Sequence, residues 1–196
     1  MIRIASNEDI PLLAEIHLSS LSDDFLPRLG KEFLIEYFYP SVLFSKVATT
    51  YVDVEEDRIN SFVIFTTNSS ALTKQMMKMS MKKIFLLFKG LLKDWTLVKE
   101  IFALAIGYKI ELQEVVDLAA IPELYLIATT PGKQSKGIGS SLVKAGLKDL
   151  SEKGKAQCLV KTASTRAKDF YEKLGFVEIG YEYRLNRKLF LLLISE

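Results

Sequence analysis

The chain is short of most features that would mark a specialised class. Its one cysteine, Cys158, cannot close an intramolecular disulfide, so nothing indicates an oxidising compartment. Ten glycines and five prolines in 196 residues exclude collagen-like and low-complexity chains. No apolar run approaches the roughly 18 residues of a membrane span; the longest, Ile101–Tyr108, stops at Lys109. The opening residues turn acidic by Glu8 and lack the apolar stretch and small-residue site of a signal peptide. A net charge of +2 is too small to argue for nucleic acid. What is present is ordinary: 49% hydrophobic and 26% charged residues, enough apolar surface to exclude a disordered chain. No repeat or linker divides the chain. The expectation is one cytoplasmic domain over 1–196, near the usual size of roughly 150 residues.

Charge is unevenly spread. Between Ala71 and Ile110 stand Lys74, Lys78, Lys82, Lys83, Lys89, Lys93, Lys99 and Lys109 against Asp94 and Glu100, a net of +6. That leaves −4 for the other 156 residues of a chain whose total is +2. Met76, Met77, Met79 and Met81, four of the five methionines, fall in the same stretch. It reads as a basic, Met-rich helical insert, or as an amphipathic helix pair whose lysines are merely solvated.

Local patterns predict the remaining elements. Arg3–Ala5 reads as a strand. Ser6 opens a helix with Asp9 as its capping-box partner, and a second helix runs from about Lys31 until Pro40. Lys46–Val54 and Ile59–Thr67, rich in β-branched residues, flank the acidic turn 55–58 as a hairpin. Helices are predicted at 72–89 and 94–108 with Gly90 between them. Strand Leu124–Thr129 is followed by a helix from Gly137 to Lys153, strand Gln157–Lys161, helix Ser164–Leu174, and strands Phe176–Gly180 and Lys188–Ile194. The fold class is therefore α/β (α+β).

The segment Gln134-Ser135-Lys136-Gly137-Ile138-Gly139-Ser140 joins a strand to a helix. Two glycines without side chains let backbone N–H groups approach a ligand, and the helix N-terminus supplies unpaired donors and partial positive charge. Together they suit a pyrophosphate, with Lys133 and Lys136 adding charge; a purely structural tight turn is the competing reading. A Walker loop would need Lys after the second glycine, where Ser140 stands, and a Rossmann fingerprint would need three glycines near the first strand.

This Gln134-x-x-Gly137-x-Gly139 pattern after Pro131 resembles motif A of the GNAT acyl-CoA N-acetyltransferases. Downstream, Ala167-x-x-Phe170-Tyr171-x-Lys173-x-Gly175-Phe176 resembles motif B. The resemblance is close from Glu123 to about Gly180. It implies a GNAT fold: a mixed, mostly antiparallel sheet of about six to seven strands flanked by helices, here with the helical insert between strands 3 and 4. It also implies acetyl-CoA as cosubstrate and no metal. The pantetheine arm would pair with Ile127, Ala128 and Thr129 in a splay between that strand and Gln157–Lys161. The phosphates would lie on Gln134 to Ser140, with Ser164 at the next helix cap. One strand N–H would face the thioester carbonyl oxygen.

Acetylating an amine requires removing a proton from an ammonium whose pKa is near 10 and returning one to the leaving thiolate. By the family position, Tyr171 would protonate the sulfur; a core aromatic is the alternative. Glu123 matches a position where many members carry a carboxylate acting through water, although an exposed strand-entry glutamate fits as well. His17 on the first helix is a weaker candidate base; Asp23, Asp24 and Tyr37 are candidate acceptor contacts. Cys158 reads as a buried strand residue with no histidine to activate it. Two positions depart from the family: Ser164 replaces a common Asn while keeping capping ability, and Leu159 replaces a Glu found in members that acetylate ribosomal-protein N-termini.

The leading reading is an N-acetyltransferase acting on a small primary amine. A faint surface-polysaccharide likeness over 25–37 suggests an amino sugar on a nucleotide. The alternative is a non-catalytic acyl-CoA-binding module docking on a partner or membrane through its insert. A small-molecule acceptor outweighs a membrane surface, nucleic acid is not expected, and a homodimer is left open.

Overall fold

A computed structural model describes residues 1–78, 81–99, 109–112, 117–184 and 187–195. Eight strands form one sheet in the order β1-β2-β3-β5-β6-β8-β7-β4. They are β1 (Ile2–Ile4), β2 (Ala48–Glu55), β3 (Arg58–Thr66), β4 (Lys109–Leu112), β5 (Glu123–Thr129), β6 (Gln157–Thr162), β7 (Val177–Arg184) and β8 (Arg187–Ser195). Among the described residues only the β5–β6 pair is parallel. The main helices are α1 (Ile10–Ser20), α2 (Ser69–Met77), α3 (Met81–Lys93), α4 (Ile138–Glu152) and α5 (Thr165–Glu172). The GNAT fold inferred from the motifs is the fold observed, with one strand more than expected.

Much of this follows from local chemistry. The Asp9 carboxylate accepts from the Ser6 N–H at 2.7 Å, completing the cap before α1. Arg3 grips the same carboxylate through two bonds of 2.7 and 2.8 Å. The β2–β3 turn places Glu56 and Asp57 at φ 49° and 59°, the left-handed pair that matches strand twist in a two-residue hairpin.

Four expectations need correction. The second helix does not stop at Pro40. A π-turn over Leu34–Phe38 intervenes, so Pro40 falls in the first turn of Tyr39–Leu43, where its missing N–H costs nothing. Gly90 lies inside α3 rather than between helices: a Cβ there would meet the Leu29 carbonyl oxygen at 3.0 Å, so the helix crosses that backbone closely. Of the predicted helix 94–108, residues 96–99 are helical and 100–108 lie outside the described residues. The predicted insert ends instead in strand β4, which pairs with β7 at the far sheet edge. Strand β7 continues past Gly180 because this glycine, at φ 153°, sits at a register shift.

The core differs between the two faces. Under α4 and α5 one cluster is continuous, joining Leu124 of β5 to Cys158 and Val160 of β6, Leu192 of β8 and Tyr171 of α5. On the other face the described residues fall into two clusters. Leu13, Phe38, Phe62 and Ala128 pack with α1 and helical residues 31–43, while Ile121, Leu159 and Leu191 form a separate group.

Candidate active site

The division between these two clusters begins in the backbone of β5. Phe65 pairs with Leu124 and Ile64 with Leu126, leaving Tyr125 as an extra, bulged residue. On its other edge β5 meets β6 at only two positions, Glu123 with Leu159 and Leu124 with Val160. Beyond them the strands part, and β6 continues to Thr162 paired with β8 alone. The bulge coils β5 away from β6 at the point where pairing ends.

The remaining β5 backbone is divided by the antiparallel alternation. Thr130 N–H donates to Asn60 O at 2.8 Å, which puts the Ala128 groups toward β3 and those of Ile127 and Thr129 toward the opening. The Thr129 carbonyl is already bonded by Ser20 Oγ at 2.8 Å and Gln134 Nε2 at 3.4 Å. The Thr129 hydroxyl lies 2.7 Å from Ser61 Oγ. Ile127 therefore offers the strand N–H and C=O facing the splay, while the Ala128 carbonyl also receives Ser61 Oγ at 2.8 Å.

At the end of β5 the loop turns through Gly132, Ser135 and Gly137, with φ of 83°, 64° and 79°. Such alternation of backbone handedness makes an N–H-lined concavity. Gly137 caps α4 without a side chain to occupy its first donors, so the N–H groups of Ile138, Gly139 and Ser140 face outward. A Cβ at Gly139 would lie 3.5 Å from Phe170 and 3.6 Å from Ile127, so this residue packs where α4, α5 and β5 converge. Lys136 is exposed, whereas Lys133 is held by Glu55 at 2.8 Å, which diverts its charge from a phosphate. Across the loop Ser164 Oγ accepts from Ala167 N–H at 3.2 Å, capping α5.

Tyr171 and Glu123 lie at the vertex on opposite sheet faces. Tyr171 is buried between Phe170 and Phe176 beside Cys158, and burial raises its phenol pKa, keeping it protonated. Cys158 is also buried, its thiol pushed up to about 12. Glu123 is buried and registered with Leu159, on the face where the core divides.

His17 cannot serve as an accessible base. It is 1% exposed, sits between Phe38 and Phe62, and has Nδ1 3.0 Å from Tyr39 Oη. That hydroxyl donates to Leu13 O, and burial lowers the imidazole to about 4. Tyr37 is engaged by Lys83, whose Nζ lies 3.8 Å over the ring. Asp24 precedes the short helix Phe25–Arg28, and Asp23 is exposed.

Two polar residues of the divided face escaped the sequence reading. Lys161 of β6 and Glu182 of β7 form an ion pair of 3.0 Å with Glu182 fully buried. By register both share the face of Leu159, next to Glu123. The available signal was a charge at an inward position of each strand. Among the described residues, no group of three His, Cys, Asp or Glu side chains could hold a metal.

Comparison with known proteins agrees with the fold. The profile of the family described as "Acetyltransferase (GNAT) domain" matches residues 105–191. A mycothiol acetyltransferase of Streptosporangium roseum is 43% identical over 68 residues, 33% of this chain and 20% of that protein. The chain thus corresponds to only about a fifth of the curated relative's length. An N-acetyltransferase from Staphylococcus aureus superposes with a TM-score of 0.68 at 16% identity, covering 99% of this chain and 100% of the other. A GNAT-family protein from Desulfovibrio desulfuricans gives 0.63 at 14% identity over 100% and 98%. An acetyltransferase from Bacillus anthracis solved with acetyl coenzyme A gives 0.51 at 12% identity over 81% and 68%.

Proposed function

We propose, for a chain that belongs to the GNAT acetyltransferase superfamily, that it transfers an acetyl group from acetyl-CoA to the primary amine of a small molecule by direct attack. The observation that carries this is the opening between β5 and β6. Ile127 backbone groups face it at one end of its length, and the uncapped start of α4 stands beyond. An extended arm with amide groups can pair along such an edge while a pyrophosphate rests on the helix donors. Acetyl-CoA, when bound, supplies the activated acyl group.

The chain's residues divide the remaining work. The Ile127 N–H is placed to donate to the thioester carbonyl oxygen. Glu123, on the divided face, draws the proton from the incoming amine through water. Tyr171, protonated and on the opposite face, returns a proton to the sulfur. The amine enters from the face of Leu159, on which Glu123 and the Lys161–Glu182 pair lie by register.

The insert lysines do not favour an anionic acceptor such as a nucleotide sugar. Lys82 and Lys89 are paired with Glu36 and Glu32 at 2.7 and 2.6 Å, and Lys83 is buried. The test is release of free thiol from acetyl-CoA across a panel of amines, alongside a thermal-shift titration. Shift together with amine-dependent thiol release supports the reading. A shift with no release from any amine would leave the non-catalytic acyl-CoA-binding module.

A further inference from the structure

We propose that the outer face of α3 is a docking surface for an anionic lipid bilayer. Helix α3 has two apolar sides. One, with Leu86 and Gly90, packs onto the core. The other carries Met81 at 83% exposure, Phe85 at 65%, Phe88 at 58% and Leu92 at 70%, and is continued by Trp95 at 75%. Large apolar side chains scattered singly over a surface need no explanation, but a contiguous row of this kind marks an interaction site.

Charge selects the occupant. On α3 Met81, Phe88 and Leu92 are each followed by a lysine, Lys82, Lys89 and Lys93. One residue is about 100° of helix, so the lysines form a row along one flank of the apolar row. Lys78 stands before the helix and Lys99 beyond Trp95, both exposed. Lys82 and Lys89 hold short ion pairs with Glu36 and Glu32, and Lys93 acts on Glu32 only at longer range, so Lys78, Lys93 and Lys99 carry the uncompensated charge of this flank, on a helix that itself contains no Asp or Glu. A basic row beside an apolar row is the pattern of helices that lie in the headgroup region, apolar face down. A second copy of the chain fits less well. Pairing two such faces would bring Lys78, Lys93 and Lys99 of each copy toward one another, and the nearby acids Glu32 and Glu36 are already engaged by Lys89 and Lys82.

The exposure of the apolar residues between the lysines distinguishes this face from one whose lysines are merely solvated. This inference concerns the insert and holds whatever amine is acetylated.

The chain's one tryptophan, Trp95, reports on the contact directly. The full chain is mixed with vesicles of phosphatidylglycerol and phosphatidylcholine, or of phosphatidylcholine alone, and both Trp95 emission and co-sedimentation are measured. A blue shift and pelleting with the anionic vesicles, weakened by salt, are expected. Phe85→Ser with Phe88→Ser should weaken partitioning at least tenfold, since each ring loses roughly a factor of ten or more in burial. Lys78→Gln with Lys93→Gln should weaken it by about fivefold per lysine. All four positions are exposed, so an unchanged melting temperature verifies that each variant folds. Absence of shift and pelleting with anionic vesicles, equal binding to neutral vesicles, or a vesicle-free shift that tracks dimerisation in sedimentation equilibrium would each overturn the proposal.

Discussion

Gly139→Glu isolates the cofactor end of the site. A Cβ at this position makes only ordinary contacts, 3.5 Å to Phe170 and 3.6 Å to Ile127. The first turn of α4 carries no acidic residue at present, so a glutamate near the positive helix end should stabilise the free protein by about 0.3–1 kcal/mol. The same carboxylate would extend over the donors assigned to the pyrophosphate. At about 5 Å, with an effective dielectric of roughly 20–80, repulsion from one phosphate charge is about 1–3 kcal/mol. Acetyl-CoA at 100 times its Kd stabilises the wild-type protein by about 2.7 kcal/mol. In a chain of this size that is a rise of about 5–10 °C in Tm. A hundredfold loss of affinity leaves about 0.4 kcal/mol at the same concentration, roughly 1 °C. Differential scanning fluorimetry with and without acetyl-CoA measures both effects. Gly139→Ala, whose methyl fits, controls for folding. A variant with its own Tm intact and the full ligand shift would refute this placement of the phosphates.

Three further perturbations address other parts of the reading. Tyr171→Phe should lower kcat by about 10–1000-fold with little change in acetyl-CoA affinity, since the phenol proton matters when sulfur leaves; wild-type kcat in steady-state assays would reduce it to packing. Lys161→Ala removes the ion-pair partner of buried Glu182 and should lower Tm, at a cost of up to about 3–5 kcal/mol, whereas Lys161→Met with Glu182→Leu should recover most of it. Because burial holds His17 at about 4 against an ordinary 6.5, the unfolded chain binds a proton between those values that the folded chain refuses. Stability should be full above pH 6.5 and fall by roughly 3 kcal/mol as pH drops toward 4; His17→Leu should flatten that part of a denaturation–pH profile, and an unchanged slope would contradict the assignment.

Features decided by neighbours in sequence were legible: the Ser6–Asp9 cap, the Glu56–Asp57 turn, and the glycine-bearing start of α4. Those decided across the fold were not. Gly90 looks like a helix breaker until Leu29, far away in the sequence, is seen beneath it. Strand β4 is four residues long and exists through its pairing with β7, so its own sequence gives little signal. The Tyr125 bulge is a relation of register between two strands. Lys161 and Glu182 lie in strands whose pairing alone brings them together. His17 shows the same limit: its side of α1 was evident, but not that Phe38, Tyr39 and Phe62 close over it.

The two residue pairs that join β5 to β6 also have a mechanical meaning. The sheet is in effect two four-stranded leaves, β1-β2-β3-β5 and β6-β8-β7-β4, riveted at Glu123–Leu159 and Leu124–Val160. The proposed base thus sits on the rivet, where relative displacement of the leaves is least. The insert adds a second tether. It leaves the first leaf after β3, lays α3 against Leu29 of that side, and enters the second leaf as its outermost strand. The chain then returns to β5 and crosses again through α4 to β6, so the leaves are linked covalently on both sides of the rivet. Spreading the cleft therefore works against covalent connections as well as against the two residue pairs.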